Sequence, residues 1–174
     1  TIIKLFIVLV ACICYHSSSF AQSTTAVIDI SDWDGKKEIK LDGNWNFYYG
    51  EFLLPGEEST KKEKYLLNIP SEWRDIDELS DKSFGFGTYK TKVIIPDKKL
   101  ALSLGLKIKR AKMAYEVFIN GVLVHSNGVI SEVAEHEVPY YKPQIIHVPP
   151  LFERNELDIL IRISNHQYQF GGIS

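Results

Sequence analysis

Residues 156–164 read Glu-Leu-Asp-Ile-Leu-Ile-Arg-Ile-Ser, and Leu157, Ile159, Ile161 and Ile163 alternate there with Asp158, Arg162 and Ser164. Successive side chains of a strand point to opposite faces, so a period of two makes one apolar face and one polar face. Tyr89, Thr91, Val93 and Ile95 repeat the pattern against Lys90 and Lys92, as do Leu100, Leu102, Leu104 and Leu106. Tyr115, Val117 and Ile119 share one side of a further strand, 113–119, and Asn120-Gly121 stands between it and 122–125. Asn-Gly tolerates the positive φ of a two-residue turn, which predicts a hairpin. Other strands are expected at 26–30, 38–41, 44–49, 65–69 and 145–148, and a turn or two of helix at 72–79. No long helical period and no internal repeat appears. Many short strands at this spacing predict an all-β sandwich of about residues 26–165. Its core would hold Leu157, Ile159, Ile161, Ile163, Tyr89, Val93 and Val117. Residues 54–64, 75–86 and 126–142 break the pattern and read as loops.

Composition fits that picture. Of 174 residues, 45% are hydrophobic and 12% aromatic, enough to build a core without a metal or a disulfide. Twenty Lys and Arg face 22 Asp and Glu, a formal net charge of −2, which argues against a nucleic-acid partner. At the start, Lys4 precedes eleven uncharged residues, 5–15, and then Ser17-Ser18-Ser19-Phe20-Ala21. A basic start, an apolar centre and small residues before a cleavage point predict a secretory signal over 1–21. The run is shorter than a membrane span needs. A lipoprotein signal at Cys12 is the rival, since Leu9-Val10-Ala11 leads into it. Cys12 and Cys14 are the only cysteines, so the remainder, 22–174, offers no thiol chemistry and no cysteine-ligated zinc. The chain begins at Thr1 and stops just after Gly171-Gly172, and both ends read as cut from something longer.

Catalytic signatures are missing. No Gly-x-Ser-x-Gly elbow occurs, and Tyr140 stands where a metalloprotease would need the second His after His136-Glu137. Gly85-Phe86-Gly87 lacks the third glycine of a dinucleotide loop and precedes a strand. Asp29, Asp32 and Asp34 before Gly35 could offer oxygens to calcium, but a solvated turn with Asx caps explains them as well. No pair of facing carboxylates for glycoside hydrolysis can be picked out. The expectation is a domain without catalysis, cofactor or metal.

Leu41-Asp42-Gly43-Asn44-Trp45-Asn46-Phe47 resembles the opening of the sugar-binding jelly-roll domain of glycoside hydrolase family 2. In the same order, Ile69-Pro70-Ser71-Glu72-Trp73 resembles its Val-Pro-Gly-x-Trp, and Phe86-Gly87-Thr88-Tyr89 its Gly-x-x-Tyr. Val117-Phe118-Ile119-Asn120-Gly121 resembles its Val-Tyr-Val-Asn-Gly. Asn155-Glu156-Leu157-Asp158-Ile159 resembles its Gly-x-Asn-x-Leu-x-Val, with Arg154 in place of the glycine. Other stretches resemble the extracytoplasmic domain of bacterial seven-transmembrane receptors with diverse intracellular signalling modules. These are Trp45-Asn46-Phe47-Tyr48-Tyr49-Gly50, Ala114-Tyr115 leading to Asn120-Gly121, Asn127-Gly128-Val129, Tyr141-Lys142-Pro143-Gln144, and Ser164-Asn165-His166 with Gly171-Gly172. The last two favour the receptor over the hydrolase. Both resemblances imply a galactose-binding-like jelly-roll sandwich. The receptor also implies a covalently continuous membrane domain, a histidine kinase or nucleotide cyclase output, and a periplasmic location tethered to the inner membrane.

The reading that follows is a non-catalytic extracytoplasmic ligand-sensing domain of a bacterial membrane receptor, binding carbohydrate or another small polar ligand. The alternative is a sugar-binding accessory domain of a secreted family 2 glycoside hydrolase of β-galactosidase-like type. A free-standing secreted enzyme is disfavoured by the missing motifs. Loops at the sheet ends are left to recognise partners. The expected site is shallow, made by Trp73, Arg110, Tyr140, Tyr141 and His166, with loop 126–142 as its wall. The plainer readings are Trp73 as a core aromatic, Arg110 as a solvated strand end, His166 as a cap, and the loop as a packed connection or a dock for the membrane domain.

Overall fold

The alternating stretch at 156–164 lies in the strand on which the rest is built. The computed structural model describes residues 26–61, 63–97, 104–108, 112–141, 143–150 and 154–173. Its strands are β1 (Val27–Asp29), β2 (Gly43–Tyr49), β3 (Tyr65–Ile69), β4 (Ser71–Glu72), β5 (Gly85–Ile94), β6 (Gly105–Ile108), β7 (Ala114–Ile119), β8 (Val122–Asn127), β9 (Gln144–His147), β10 (Glu156–Asn165) and β11 (Gly172–Ile173). β10 pairs antiparallel with β5, from Glu156 opposite Ile94 to Asn165 opposite Gly85. On its other side it pairs with β7, from Ile159 opposite Ile119 to Ser164 opposite Ala114. The main sheet runs β3-β2-β5-β10-β7-β8. β2 occupies the edge of β5 only from Lys90 to Gly87. β1 takes the stretch β2 leaves free, pairing parallel with Lys92 to Ile94. The chain is an all-β sandwich.

Burial follows the period of two. Trp45, Phe47, Tyr89, Val93, Tyr115, Val117, Ile119, Leu157, Ile159, Ile161 and Ile163 are all buried in one core. Among the described residues the layer facing them is thinner, with two separate pairs: β6 with β9 and β4 with β11. These bring Ile146, Val148 and Trp73 into the core, with Leu104, Leu106, Ile108 and Ile173 packed against it and only partly buried. Full burial of one aliphatic or aromatic side chain is worth about 1.5–3 kcal/mol. The inward row of β10 alone therefore outweighs any single polar contact.

The outer face of the main sheet is not simply solvated. Residues 51–57 cross it as a strap. The Leu53 N–H donates to Thr88 Oγ1 at 2.9 Å, and the Thr88 hydroxyl donates to the Glu51 carbonyl at 2.7 Å. Lys90 Nζ donates to the Glu57 carbonyl at 3.1 Å. Phe52 lies 4.8 Å from Phe86 and under the Arg162 guanidinium. Leu53, Tyr48 and Leu160 are buried on this side.

The hairpin turns as expected, with φ of 49° at Asn120 and 84° at Gly121. Residues 72–79 hold two short 3-10 turns, Trp73–Asp75 and Asp77–Leu79. Residues 38–41 are not a strand: among the described residues no strand ladder includes them. The Asp29 and Asp34 carboxylates accept the Ser31 and Lys36 N–H groups as Asx turns. The expected signal over 1–21, Cys12, and Leu100 and Leu102 of the expected strand lie outside the described residues. Among the described residues no helix is long and apolar enough to cross a membrane.

Candidate functional site

The register brings Gly85, Asn165, Ala114 and Asn127 to one end of the main sheet, and the long loop after β8 folds back over that end. Val129 and Val138 exchange backbone hydrogen bonds of 2.8 and 3.0 Å, closing the loop on itself. Gly128, at φ 73°, makes this possible, since a Cβ there would strike the Val138 carbonyl. Three bonds then fasten the loop to the end of β10. The Ser131 N–H donates to Ser164 Oγ at 3.2 Å. The His166 N–H donates to Glu137 Oε2 at 2.9 Å. His166 Nε2 lies 3.0 Å from the Ser131 carbonyl, which only accepts, so Nε2 carries the proton. Asn127 Nδ2 donates both to the Met113 carbonyl and to that of Tyr140. The loop is a fastened part of the frame.

Tyr140 and Tyr141 are each 55% exposed on this frame, and their faces are open to a partner. His166 is half-buried with its backbone N–H and Nε2 both engaged. The structure thus brings Tyr140, Tyr141 and His166 to one end of the sandwich. Trp73 is not beside them on the surface: it is 0% exposed. Its indole N–H donates to the Tyr89 hydroxyl at 2.8 Å, its rings stack on Phe47 at 5.6 Å, and a Cβ on Gly171 would collide with it. As a ligand contact it is corrected to a core aromatic beneath this end. Arg110 lies outside the described residues.

Other groups at this end were not singled out from the sequence. Tyr168 and Phe170 are exposed aromatics. The Lys112 ammonium lies 5.7 Å from the Tyr168 ring centre, and the Arg74 guanidinium 4.3 Å from that of Phe170. Asn165 holds this segment in place: Nδ2 donates to the Ser83 and Tyr168 carbonyls at 2.8 and 2.7 Å, and Oδ1 accepts the Tyr168 N–H at 3.0 Å. The available signal was two aromatics at 168 and 170, past the end of a strand, where no sheet buries them. Aromatic faces beside cations can stack on CH-rich ligand surfaces and bond an anionic group at the edge.

Some polar groups stay unpaired. Glu137 is 5% exposed, and among the described residues its Oε1 has no hydrogen-bond partner. The Tyr115 hydroxyl and His125 Nε2 likewise have none, and their rings lie 5.8 Å apart. Burial pushes His125 below its ordinary pKa and Tyr115 above. Among the described residues no group of three His, Cys, Asp or Glu is placed to hold a metal.

A second feature lies towards the opposite end, between the two layers. A cavity of about 470 Å³ is lined by Trp33, Trp45, Leu106, Ile108, Ile119 and Ile159 among other apolar side chains. Among the described residues its charged lining residues are Glu38, Lys40, Asp42 and Lys107. These are solvent-exposed. Protein interiors pack to crystal-like density, and this volume falls within the range of ligand pockets, about 300–1,000 Å³.

No protein-family model matches the chain, and no curated protein matches it. Among solved structures it is similar to a β-glucuronidase of Bifidobacterium dentium, with 20% identity and a TM-score of 0.53 over 72% of this chain and 20% of that one. It is also similar to β-glucuronidase 2 of Bacteroides uniformis, with 17% identity and a TM-score of 0.53 over 76% of this chain and 16% of that one. A glycosyl hydrolase family 2 member of Bacteroides cellulosilyticus gives 19% identity and a TM-score of 0.53 over 76% and 19%. The chain spans about a fifth of the length of these enzymes. At this identity the likeness shows the fold, a β-sandwich found within family 2 hydrolases.

Proposed function

We propose that the chain is a non-catalytic, sugar-recognising sandwich domain of a larger extracytoplasmic protein, of the accessory type in family 2 glycoside hydrolases. The observation that carries this is the aromatic end: Tyr140, Tyr141, Tyr168 and Phe170 exposed on a hydrogen-bonded frame, with Lys112 and Arg74 at its edge. The fold neighbours named as β-glucuronidases support the sugar class. A uronate suits this surface, since ring CH groups stack on the aromatics and the carboxylate meets Lys112, or Arg74, whose Nε already donates to Glu72 Oε2 at 2.7 Å.

The test is calorimetric titration of the chain with glucuronate-ended and neutral oligosaccharides. Saturable binding of the acidic sugars is expected, weakened about tenfold, or about 1.4 kcal/mol, by Tyr141→Ala or Tyr168→Ala. Arg74→Gln should weaken the uronate and spare the neutral sugar. Undiminished binding by folded Tyr141→Ala and Tyr168→Ala would overturn the site.

A second reading, the sensor domain of a membrane receptor, is favoured by the stretches 141–144, 164–166 and 171–172, which the hydrolase resemblance leaves unmatched. Here Ser164 and His166 fasten the loop, and Gly171 packs on Trp73. The reading frame beyond Ser174 separates the two. Seven apolar spans of about 20 residues support the receptor, and a strand–helix alternation with acidic strand ends supports the hydrolase.

A further inference from the structure

We infer that the free edge of β8 is an interface whose partner is the same edge of a second copy of this chain, the two strands running antiparallel about a two-fold axis. β8 ends the main sheet, and among the described residues no strand pairs with its outer side. An open edge presents unpaired N–H and C=O groups, whose natural occupant is another extended strand. Two apolar rows run across the sheet to this edge and stop there. Ile159, Ile119 and Val122 stand opposite one another on the core face, and Leu160, Phe118 and Leu123 on the outer face. The first two members of each row are buried, whereas Val122 is 54% and Leu123 50% exposed. A further strand beside β8 would cover both.

Charge and face pattern select a second copy as that strand. In a two-fold contact each subunit offers the same patch to its mate, so an edge with charges of one sign repels itself. Edge strands are commonly guarded by such charges, Lys above all. No Asp, Glu, Lys or Arg occurs between Glu116 and Glu132, a stretch that includes all of β8 and both its flanks. The other edge of the sheet, β3, is guarded: Lys61, Glu63 and Lys64 precede it and Pro70 closes it. The register fixes which way each β8 residue points. Val122, His125 and Asn127 oppose Ile119, Val117 and Tyr115 on the core face, and Leu123 and Ser126 oppose Phe118 and Glu116 on the outer face. Val124, the extra residue of a bulge, also packs against the core. The order from 122 to 127 is therefore in, out, in, in, out, in, and it reads the same in both directions. An antiparallel mate centred between Val124 and His125 sets Val122 against Asn127, Leu123 against Ser126 and Val124 against His125, each pair on one face. A bulge blunts an edge towards an ordinary strand, but this mate carries the same bulge at the same place.

The pairing does not depend on the sugar reading. Velocity sedimentation of the chain should show monomer and dimer in concentration-dependent exchange. Leu123→Lys sets two cations beside the seam and should raise the dissociation constant at least about tenfold, with circular dichroism reporting that the fold is kept. Opposed residues of an antiparallel pair have Cα atoms about 4.5–5.5 Å apart, within disulfide reach. In a Cys12→Ser, Cys14→Ser background, Leu123→Cys mixed with Ser126→Cys should therefore cross-link on oxidation, and more than either variant alone. Leu66→Cys, on β3, should stay uncrosslinked. A chain that sediments as a monomer up to about 1 mM overturns the proposal. So does a dimer that Leu123→Lys, still folded, leaves as tight as before. Cross-linking through Leu66→Cys, with none in the mixture, overturns the assignment of the edge.

Discussion

A buried indole N–H has to end on something, and in Trp73 it ends on the Tyr89 hydroxyl. Leaving one member of a buried pair unsatisfied costs about 1–3 kcal/mol. Tyr89→Phe strands the indole and should lower the unfolding free energy by that amount in denaturant titrations. Tyr89 also sets an alkaline limit. Burial holds its hydroxyl well above the ordinary phenol value of 10.0, against the lowering influence of the Trp73 indole and a backbone bond from Ile173. The neutral form is the one the fold keeps, so above pH 10 the unfolded chain gives up a proton that the native chain retains. Stability is full below that pH and falls as pH rises further. Urea midpoints should drop from pH 10 upward, and less steeply in Tyr89→Phe. The sequence showed Trp73 as an aromatic in an irregular stretch, which suits a ligand platform or a core residue alike. Its burial depends on Gly171, about a hundred positions away, and no local pattern carries that.

At the scale of elements, the loop over the aromatic end hangs on its fastenings to β10. Glu137→Ala removes the acceptor of the His166 N–H. Amide exchange at Val129 and Val138 should speed up, and stability fall by about 1–3 kcal/mol. Glu137→Gln keeps a carbonyl acceptor and removes a buried carboxylate, so its loss should be clearly smaller when the two variants are compared by hydrogen exchange. The limits of this loop were legible from the break in alternation. Its fastenings were not, because Ser131 meets Ser164 and Glu137 meets His166 some thirty residues on. β4 and β11 were also unreadable, since two residues have no period. The expected strand at 38–41 shows the reverse error. Alternation there serves the rim of a cavity, with Ile39 and Leu41 lining it and Lys40 solvent-exposed.

For the whole molecule, the inward rows of β5, β7 and β10 were legible because a main sheet with one buried face enforces a strict period. The strap was not, so Leu160 and Tyr48 are buried on a face the pattern assigns to solvent. Packing differs along the core as well. Ile163 sits in its closed part, whereas Ile159 borders the cavity. Truncating buried Ile to Ala costs about 2–5 kcal/mol. Thermal unfolding should place Ile163→Ala towards the upper end and Ile159→Ala towards the lower, since Ile159 has fewer atoms against it. The place of β10 also sets when the domain can fold at all. It follows both β5 and β7 in the sequence, yet it is the seam between them. A nascent chain that has delivered its first 150 residues holds β3-β2-β5 on one side and β7-β8 on the other, with nothing to join them. Pairings across such sequence distances form slowly. The sheet therefore closes only once residues 156–165 are in place, and a chain cut before them has no common seam to fold on.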